Sequence, residues 1–555
     1  MIKYTYIVLL LFCAKNYGQS TLNYIKTPLT IYRNELPLNV RSEWHHLDIE
    51  KDTLAGTSLN RAYKEIIKNK KGKEIIVAVI DTDIDINHED LKPNIWINKK
   101  EIPNNGIDDD HNGYIDDIHG WNFLGNRKGE SISYANTTPI RILRNLKKKY
   151  SHSPVFNGNI EDSLLYIKVK KQFQNDLEDL NDLKRYASEN LKLYRESSKK
   201  VEAQFHKSNF TIDELINLYI KCQKEKSPVT EDVLTLRNYL RLGKDYKELL
   251  NDSIKVLDKA RTSYNEDYND RELIGDNDLD LADRNYGNNN VSGNAKWTYH
   301  GTIVSGVIGA NRANKIGIEG FSDQIKIMPI LAVPYGGYEN EKDINLAIHY
   351  AVDNGAKIIN MSFGNSVGDH SDWMKEAFLY AEKHDVLLIA GAGNNSRDND
   401  VKPFYPIDYD ERTGEEFCNN FIKVGAITLD GDKYFLAYFT NYGKQTVDIF
   451  APGYFLKTTD PIMGYSYRDG TSISGPVVSG VAALVRSYYP KLKASEVKKI
   501  ILDSGISFDN LQVLLPDNKE GILKPFKELS KTGKVVNVYN ALLMAKEMSK
   551  KKSSN

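Results

Sequence analysis

Short, nearly unbroken apolar runs recur along this chain at Ile75–Ile80, Ile325–Val333, Ala356–Met361, Val386–Ala390, Ile422–Ile427 and Val447–Phe450. Runs of that length without polar alternation predict strands covered on both faces, as in a parallel sheet. Between them, Glu341–Asn354 and Asp372–Lys383 carry apolar residues at helical spacing. Alternating strands and helices predict an α/β fold: a doubly wound, mostly parallel sheet flanked by helices. Ligands of such sheets sit beyond the carboxyl ends of strands, and Asp81 falls at the end of the first run.

Residues 129–270 follow another pattern. Lys, Glu, Asp, Leu and Tyr dominate, Gly is scarce, and Phe173, Leu177, Leu180, Ala187, Leu191 and Tyr194 recur at steps of three, four or seven. That is the stripe of an amphipathic helix. Thr211-Ile-Asp-Glu214 reads as a capping box opening another helix, while Pro228 and Gly243 would interrupt later ones. The expected result is a helical hairpin or small bundle inserted as its own module. Two roles stay open for it, a solvated structural lobe or a lid over a cleft. Residues 19–70 form a lead-in with a helix around Leu59–Lys68, and 71–128 with 271–545 form the main domain. The end, 546–555, is expected to be a disordered basic tail.

Composition narrows the class. The 555 residues are 41% hydrophobic and 27% charged, which suits a folded soluble protein, and a net charge of −1 argues against a nucleic-acid partner. Residues 1–18 read as a signal peptide: Lys3, an apolar core Tyr6–Ala14, and a cleavage region Asn16-Tyr17-Gly18-Gln19. The core is too short for a membrane span, and no later stretch reaches the ~20 residues required. Cys13 raises a lipid anchor, but Phe12 is bulky for the position before a lipidated cysteine. The leader predicts export, to a secreted, periplasmic or cell-surface location. Without the leader only Cys222 and Cys418 remain, either paired or as two small hydrophobes.

Three blocks carry the candidate chemistry. Asp81 closes the first apolar run, His300 opens His-Gly-Thr-Ile-Val-Ser-Gly, and Ser472 centres Asp469-Gly-Thr-Ser-Ile-Ser-Gly-Pro476. A serine hydroxyl is a weak nucleophile until a neighbouring base takes its proton. His300 is the candidate base and later acid, and Asp81 would hold its imidazole in the correct tautomer. Gly470 permits close backbone approach, and Pro476 suits the first turn of an apolar helix over Val477–Val485. Ser472 would then lie at a helix N-terminus, where the dipole favours developing negative charge.

Asp, then His, then Ser is one of the known chain orders of this triad. Together with Ala390-Gly-Ala-Gly-Asn394, the blocks resemble the subtilase family of serine endopeptidases, over roughly residues 40–125 and 275–510. The resemblance implies a subtilisin-like domain with a large helical insertion between Asp81 and His300, which stand 219 positions apart. It implies Asp81, His300 and Ser472 as the triad, with Asn394 as an oxyanion donor beside the Ser472 backbone N–H. It also implies Ser362, Phe363, Gly364 and Gly391, with residues near Ala332–Gly337, as the edge on which a polypeptide substrate pairs by strand addition. No cofactor is required for that chemistry. Trp44-His45-His46-Leu47-Asp48 resembles the start of such a catalytic domain, which leaves little room for an inhibitory prodomain.

The sequence departs from the family pattern at Asp83, where Gly is usual and where left-handed backbone is expected. Ile303 replaces a usual second His, and Ile473-Ser474-Gly475 replaces Met-Ala-Ala. A further motif, Asp108, Asp110, Asn112, Gly113 and Asp116, places oxygens at alternate positions of a calcium-type loop. Position 12 is His119 instead of Glu, with Asp117 as the substitute for its denticity. A structural Ca2+ and an ion-free turn are both open there. Asp276-Asn-Asp278-Leu-Asp280 is expected to be a solvated loop, and no Cys/His spacing suggests zinc. The leading expectation is a secreted endopeptidase working through an acyl-enzyme. The alternatives are a catalytically silent binding or scaffold protein acting through the insertion, and an amidase or peptide ligase.

Overall fold

The computed structural model describes residues 38–150, 159–241, 244–293, 299–516 and 520–554. The leader, Cys13 and Gly243 lie outside the described residues. The chain forms strands β1 (Ile75–Asp81), β2 (Trp121–Asn122), β3 (Ile325–Leu331), β4 (Ile358–Met361), β5 (Leu387–Gly391) and β6 (Phe421–Ile427). They are followed by β7 (Ile449–Pro452), β8 (Leu456–Asp460), β9 (Gly464–Arg468), β10 (Ile506–Ser507), β11 (Gln512–Leu514), β12 (Leu523–Pro525) and β13 (Lys534–Val535). Nine of these form one sheet in the order β10-β13-β7-β6-β5-β4-β1-β3-β2. Every pairing in it is parallel except β10 with β13.

Alternate side chains of each strand point to opposite faces. Val77 and Val79 enter one core with the helices His300–Gly309, Thr471–Tyr488 and Ala494–Ser504. Ala78 and Ile80 enter another with Glu341–Asp353 and Ser371–Lys383. Both faces are therefore dry, which is why the strands read as continuous apolar runs. β3 and β4 are consecutive in the main domain yet pair on opposite sides of β1. The sheet reverses direction at β1, and the crevice of such a reversal opens beyond its carboxyl end, at Asp81.

The insertion is helical, as its stripe predicts. Its described helices include Thr138–Lys149, a long one over Ile160–Phe205, and Ile212–Glu225, Thr230–Arg241 and Tyr246–Arg261. Val201, Leu215, Cys222, Val229, Val233 and Leu236 build a separate small core. Pro228 falls in the break between two of the helices. Cys222 sits in this core and Cys418 in the main-domain core of Ala78 and Ile80, and both are free and buried.

Trp44, Ile49, Leu54 and Leu59 of the lead-in pack in the main core, in keeping with the resemblance of Trp44–Asp48 to the start of a catalytic domain, and Trp44 Nε1 donates to Tyr454 O at 2.9 Å. Three expectations are corrected by the structure. The tail is helical over Val538–Ser554, anchored by Leu542 and Ala545 in the core and by Lys552 on Glu496 at 2.5 Å. Asp276 is no solvated loop residue: it is buried between Arg271, at 2.9 Å, and Lys342. The helix carrying Ser472 begins at Thr471, so Pro476 lies in its second turn and not its first.

Candidate active site

The site is assembled from the carboxyl ends of adjacent strands. Asp81 ends β1 and is fully buried, and His300 opens the His300–Gly309 helix with its side chain 38% exposed. A carboxylate can only accept, so His300 Nδ1–H donates to Asp81 Oδ1, at 2.7 Å. That bond assigns the proton to Nδ1 and leaves Nε2 as the free base. Asp81 Oδ1 also accepts the Thr82 N–H at 2.7 Å. Burial pushes the His300 imidazolium down, but the charge and hydrogen bond of Asp81 outweigh it, and the net shift is upward.

The two segments are stitched together locally. Thr82 Oγ1 accepts the Gly301 N–H at 2.9 Å and Thr302 Oγ1 accepts the Asp85 N–H at 2.9 Å. A Cβ at Gly301 would press on the main-chain oxygens of Thr82 and Asp83, so the close approach requires glycine there. Asp83 does not adopt positive φ, and the turn is made without the left-handed residue expected. Ile303 and Ile473 are core residues, 2% exposed each.

Ser472 is the second residue of the Thr471–Tyr488 helix, which Gly470 enters at φ 141°. Asn394 lies three residues beyond β5, and its Oδ1 accepts both the Thr471 N–H at 2.9 Å and the Thr471 hydroxyl at 3.0 Å. With Oδ1 so committed, Nδ2 is the atom of the amide left to donate. A Cβ built on Gly470 would sit 3.5 Å from Asn394 Nδ2 and 3.6 Å from Ser472 N. The two expected oxyanion donors thus lie on the same side of Gly470.

Pro476 has no N–H to give the carbonyl four residues back, which is that of Ser472. The hydroxyl of Ser362 donates to this oxygen instead, at 3.0 Å. Ser362 also lines a pocket of about 320 Å3 with Thr82, Tyr299, His300, Val333, Pro334 and Tyr335. One side chain therefore touches both the serine-bearing helix and the histidine wall. Phe363 is half-buried against the core of Ala78 and Ile80, and Gly364 packs against Tyr405 O. Gly391 is buried, and a Cβ on it would lie 3.0 Å from Thr471 O; it admits the Ser472 helix against β5.

The acidic loop gathers differently from its sequence register. Glu101, Asp108 and Asp110 each bring a carboxylate oxygen within 4.8 Å of the others. Asp116 instead accepts the N–H groups of Asn105 and Gly106 at 3.1 and 2.9 Å. Asn112 Oδ1 accepts the Tyr114 N–H at 2.8 Å, and its Nδ2 donates to Asp117. Asp117 also accepts from the Tyr350 hydroxyl at 2.6 Å, and burial pushes its carboxyl up to about 6. Three carboxylates gathered this closely would suit a hard cation such as Ca2+.

Sequence reasoning missed Glu101, Thr82, Thr471 and Tyr299, while Tyr335 falls within the Ala332–Gly337 edge it named. Thr471 stands inside the quoted serine block, so its hydroxyl was a findable partner. Glu101 precedes the acidic run and carries no spacing signal.

The sequence model of the subtilase family matches residues 72–522. A thermophilic serine proteinase from Bacillus sp. (strain AK1) is 36% identical over 189 residues, covering 34% of this chain and 42% of that protein. Fervidolysin from Fervidobacterium pennivorans is 31% identical over 234 residues, covering 38% of this chain and 31% of the relative. The cell wall-associated protease of Bacillus subtilis (strain 168) is 32% identical over 214 residues, 38% of this chain and 22% of that protein. The chain thus spans less than half the length of these curated relatives. Among solved structures, that of fervidolysin is 28% identical with a TM-score of 0.35, covering 44% of this chain and 36% of that one. On the extent of the family match, the chain belongs to the subtilase family.

Proposed function

We propose that the chain is a serine endopeptidase in which Ser472 is the nucleophile, His300 the general base and acid, Asp81 the group that orients His300, and Asn394 an oxyanion donor. The observation that carries this reading is the 2.7 Å bond from His300 Nδ1 to Asp81, which leaves Nε2 free to accept a proton. Ser472 Oγ attacks the scissile carbonyl while His300 takes its proton. The C–N bond then breaks as His300 returns that proton to the leaving amine. Water, deprotonated by the same imidazole, cleaves the acyl ester and releases the new carboxylic acid. In both steps the oxyanion would sit in the open space bordered by Asn394 Nδ2 and Ser472 N.

The substrate would be a polypeptide bound as an added strand. Gly336 spends both backbone groups on Ser133 and Ala135, with its N–H to Ser133 O at 3.2 Å and its carbonyl to Ala135 N at 2.9 Å. The chain bends on either side of that bridge, with Gly337 at φ 90°, and the backbone of the flanking Tyr335 and Gly337 is what would be offered to substrate. This is the edge expected to pair with substrate, together with Ser362–Gly364.

Export is part of the proposal, resting on the leader at 1–18 and on the family's exported members. Among the described residues no helix is long and apolar enough to cross a membrane. A structural Ca2+ held by Glu101, Asp108 and Asp110 would stiffen the loop behind β2 without entering the chemistry.

The test is covalent labelling of the purified protein with a serine-directed fluorophosphonate, the adduct located by mass spectrometry. Labelling at Ser472 that His300→Ala abolishes is the expected result. A native chain that takes no label would overturn the proposal and favour a silent scaffold.

A further inference from the structure

The insertion does not stand clear of the cleft. Leu183, Tyr186 and Ala187 of the Ile160–Phe205 helix face Leu249 and Val256 of the Tyr246–Arg261 helix across a groove of about 240 Å3. The wall of that groove nearest the main domain is Tyr335, and Tyr335 is also a wall of the pocket that contains His300. Tyr335 is therefore shared by the two hollows. It is held from the insertion's side by Lys255 and Lys259, whose Nζ atoms lie 5.3 and 5.4 Å from its centroid, and by an edge contact with Tyr134 at 5.8 Å. Leu183 and Tyr186 are 45% and 67% exposed, apolar groups left in water beside a cleft.

An extended chain repeats its side-chain direction every second residue, roughly 6.6–6.8 Å along the strand. A substrate lying on the Tyr335–Gly337 edge can drop one side chain into the pocket beside His300. The side chain two residues further on then passes the far face of Tyr335. We propose that the groove between the two insertion helices is a substrate subsite, which takes an apolar side chain of the polypeptide two positions beyond the residue held against His300. This rests on the endopeptidase reading and deepens it: the insertion selects the substrate and does not merely decorate the fold. The apolar floor of Leu183, Ala187, Leu249 and Val256 sets the chemical class, and the lysines and Asp252 form its polar rim.

The test uses internally quenched peptides in which one Phe is stepped along a Ser/Ala background, with kcat/KM measured at each position. One position should exceed its Ser counterpart about tenfold or more, the usual yield of an apolar contact of this size. In Leu183→Asp/Tyr186→Asp that ratio should fall to about one, while Ile212→Asp/Ile216→Asp, on a helix that does not line the groove, should keep it. No favoured position in the native chain, or a ratio that survives Leu183→Asp/Tyr186→Asp, overturns the subsite. The same peptides are ranked for binding to the Ser472→Ala chain by fluorescence anisotropy. Failure of Ser472 labelling with the binding rank intact would remove the endopeptidase and leave the subsite. Turnover without rank would remove the subsite alone.

Discussion

The hydroxyl of Ser362 donates to the main-chain carbonyl of Ser472 at 3.0 Å, in the place of the helical N–H that Pro476 cannot supply. The proline and the serine are therefore two halves of one device. Ser362→Ala leaves the carbonyl unpaired near the buried start of the helix and should lower stability by about 0.5–1.5 kcal/mol. In a Pro476→Ala background the restored N–H can reclaim that carbonyl, so Ser362→Ala should cost less there. Urea unfolding of the four chains in a double-mutant cycle reads the coupling directly. Additive costs would mean that the two residues act independently.

Asn394 has two separable tasks. Its Oδ1 caps Thr471, and its Nδ2 is the proposed oxyanion donor. Asn394→Asp keeps the cap and puts an acceptor where the donor stood. It should leave the melting temperature close to native and lower kcat by about 10²–10³-fold with KM little changed, a magnitude established for subtilisin and not obtained from this geometry. Asn394→Ala should lose both turnover and stability. If Asn394→Asp turned over at the native rate, the oxyanion role would belong elsewhere.

Much of this was readable in advance, for physical reasons. The six apolar runs became β1 and β3–β7 because dry faces on both sides of the sheet leave no polar alternation to confuse them. The Thr211 box formed as written, with Glu214 N–H on Thr211 Oγ1 at 3.2 Å and Thr211 N–H on Glu214 at 2.9 Å. The two-residue strands β2, β10 and β13 have no pattern of their own and exist by pairing at the two ends of the sheet, β2 and β10 as its edges and β13 next to β10. Pro476 was misplaced because Gly470 starts the helix earlier than the apolar run does. The partners of Asp116, Asn105 and Gly106, were not legible because they lie well before it in the chain and carry no spacing signal.

The His300–Asp81 pair gives opposite pH trends to activity and to stability. Proton abstraction needs neutral imidazole, so kcat/KM should rise with pH through a value above the ordinary 6.5 and then level off. The protonated pair stabilises the fold, and that contribution is complete below the unfolded value. It is lost as pH rises through the raised folded one. Asp81→Asn removes the charge that raises His300, and burial then pulls its value down. The acid limb should move to lower pH while kcat falls about 10⁴-fold. A pH–rate profile of both chains checks this, and an acid limb that does not move would detach it from His300.

Calcium, if bound as proposed, acts on stability and not on the reacting atoms. Glu101, Asp108 and Asp110 hold carboxylate oxygens within 4.8 Å of one another, and their mutual repulsion is relieved when a divalent cation sits among them. An ion that binds only the folded chain stabilises it by about 2.7 kcal/mol at a hundred times its dissociation constant. The melting temperature should therefore climb with added Ca2+ and fall in chelator, while the rate of Ser472 labelling at low temperature stays the same in both. Glu101→Gln/Asp108→Asn removes two of the charges, so its melting temperature should no longer depend on Ca2+. Because Asp116 faces Asn105 and Gly106, Asp116→Asn should keep the calcium response that the sequence register would have it lose. A response that vanishes in Asp116→Asn but survives in Glu101→Gln/Asp108→Asn would return the site to that register.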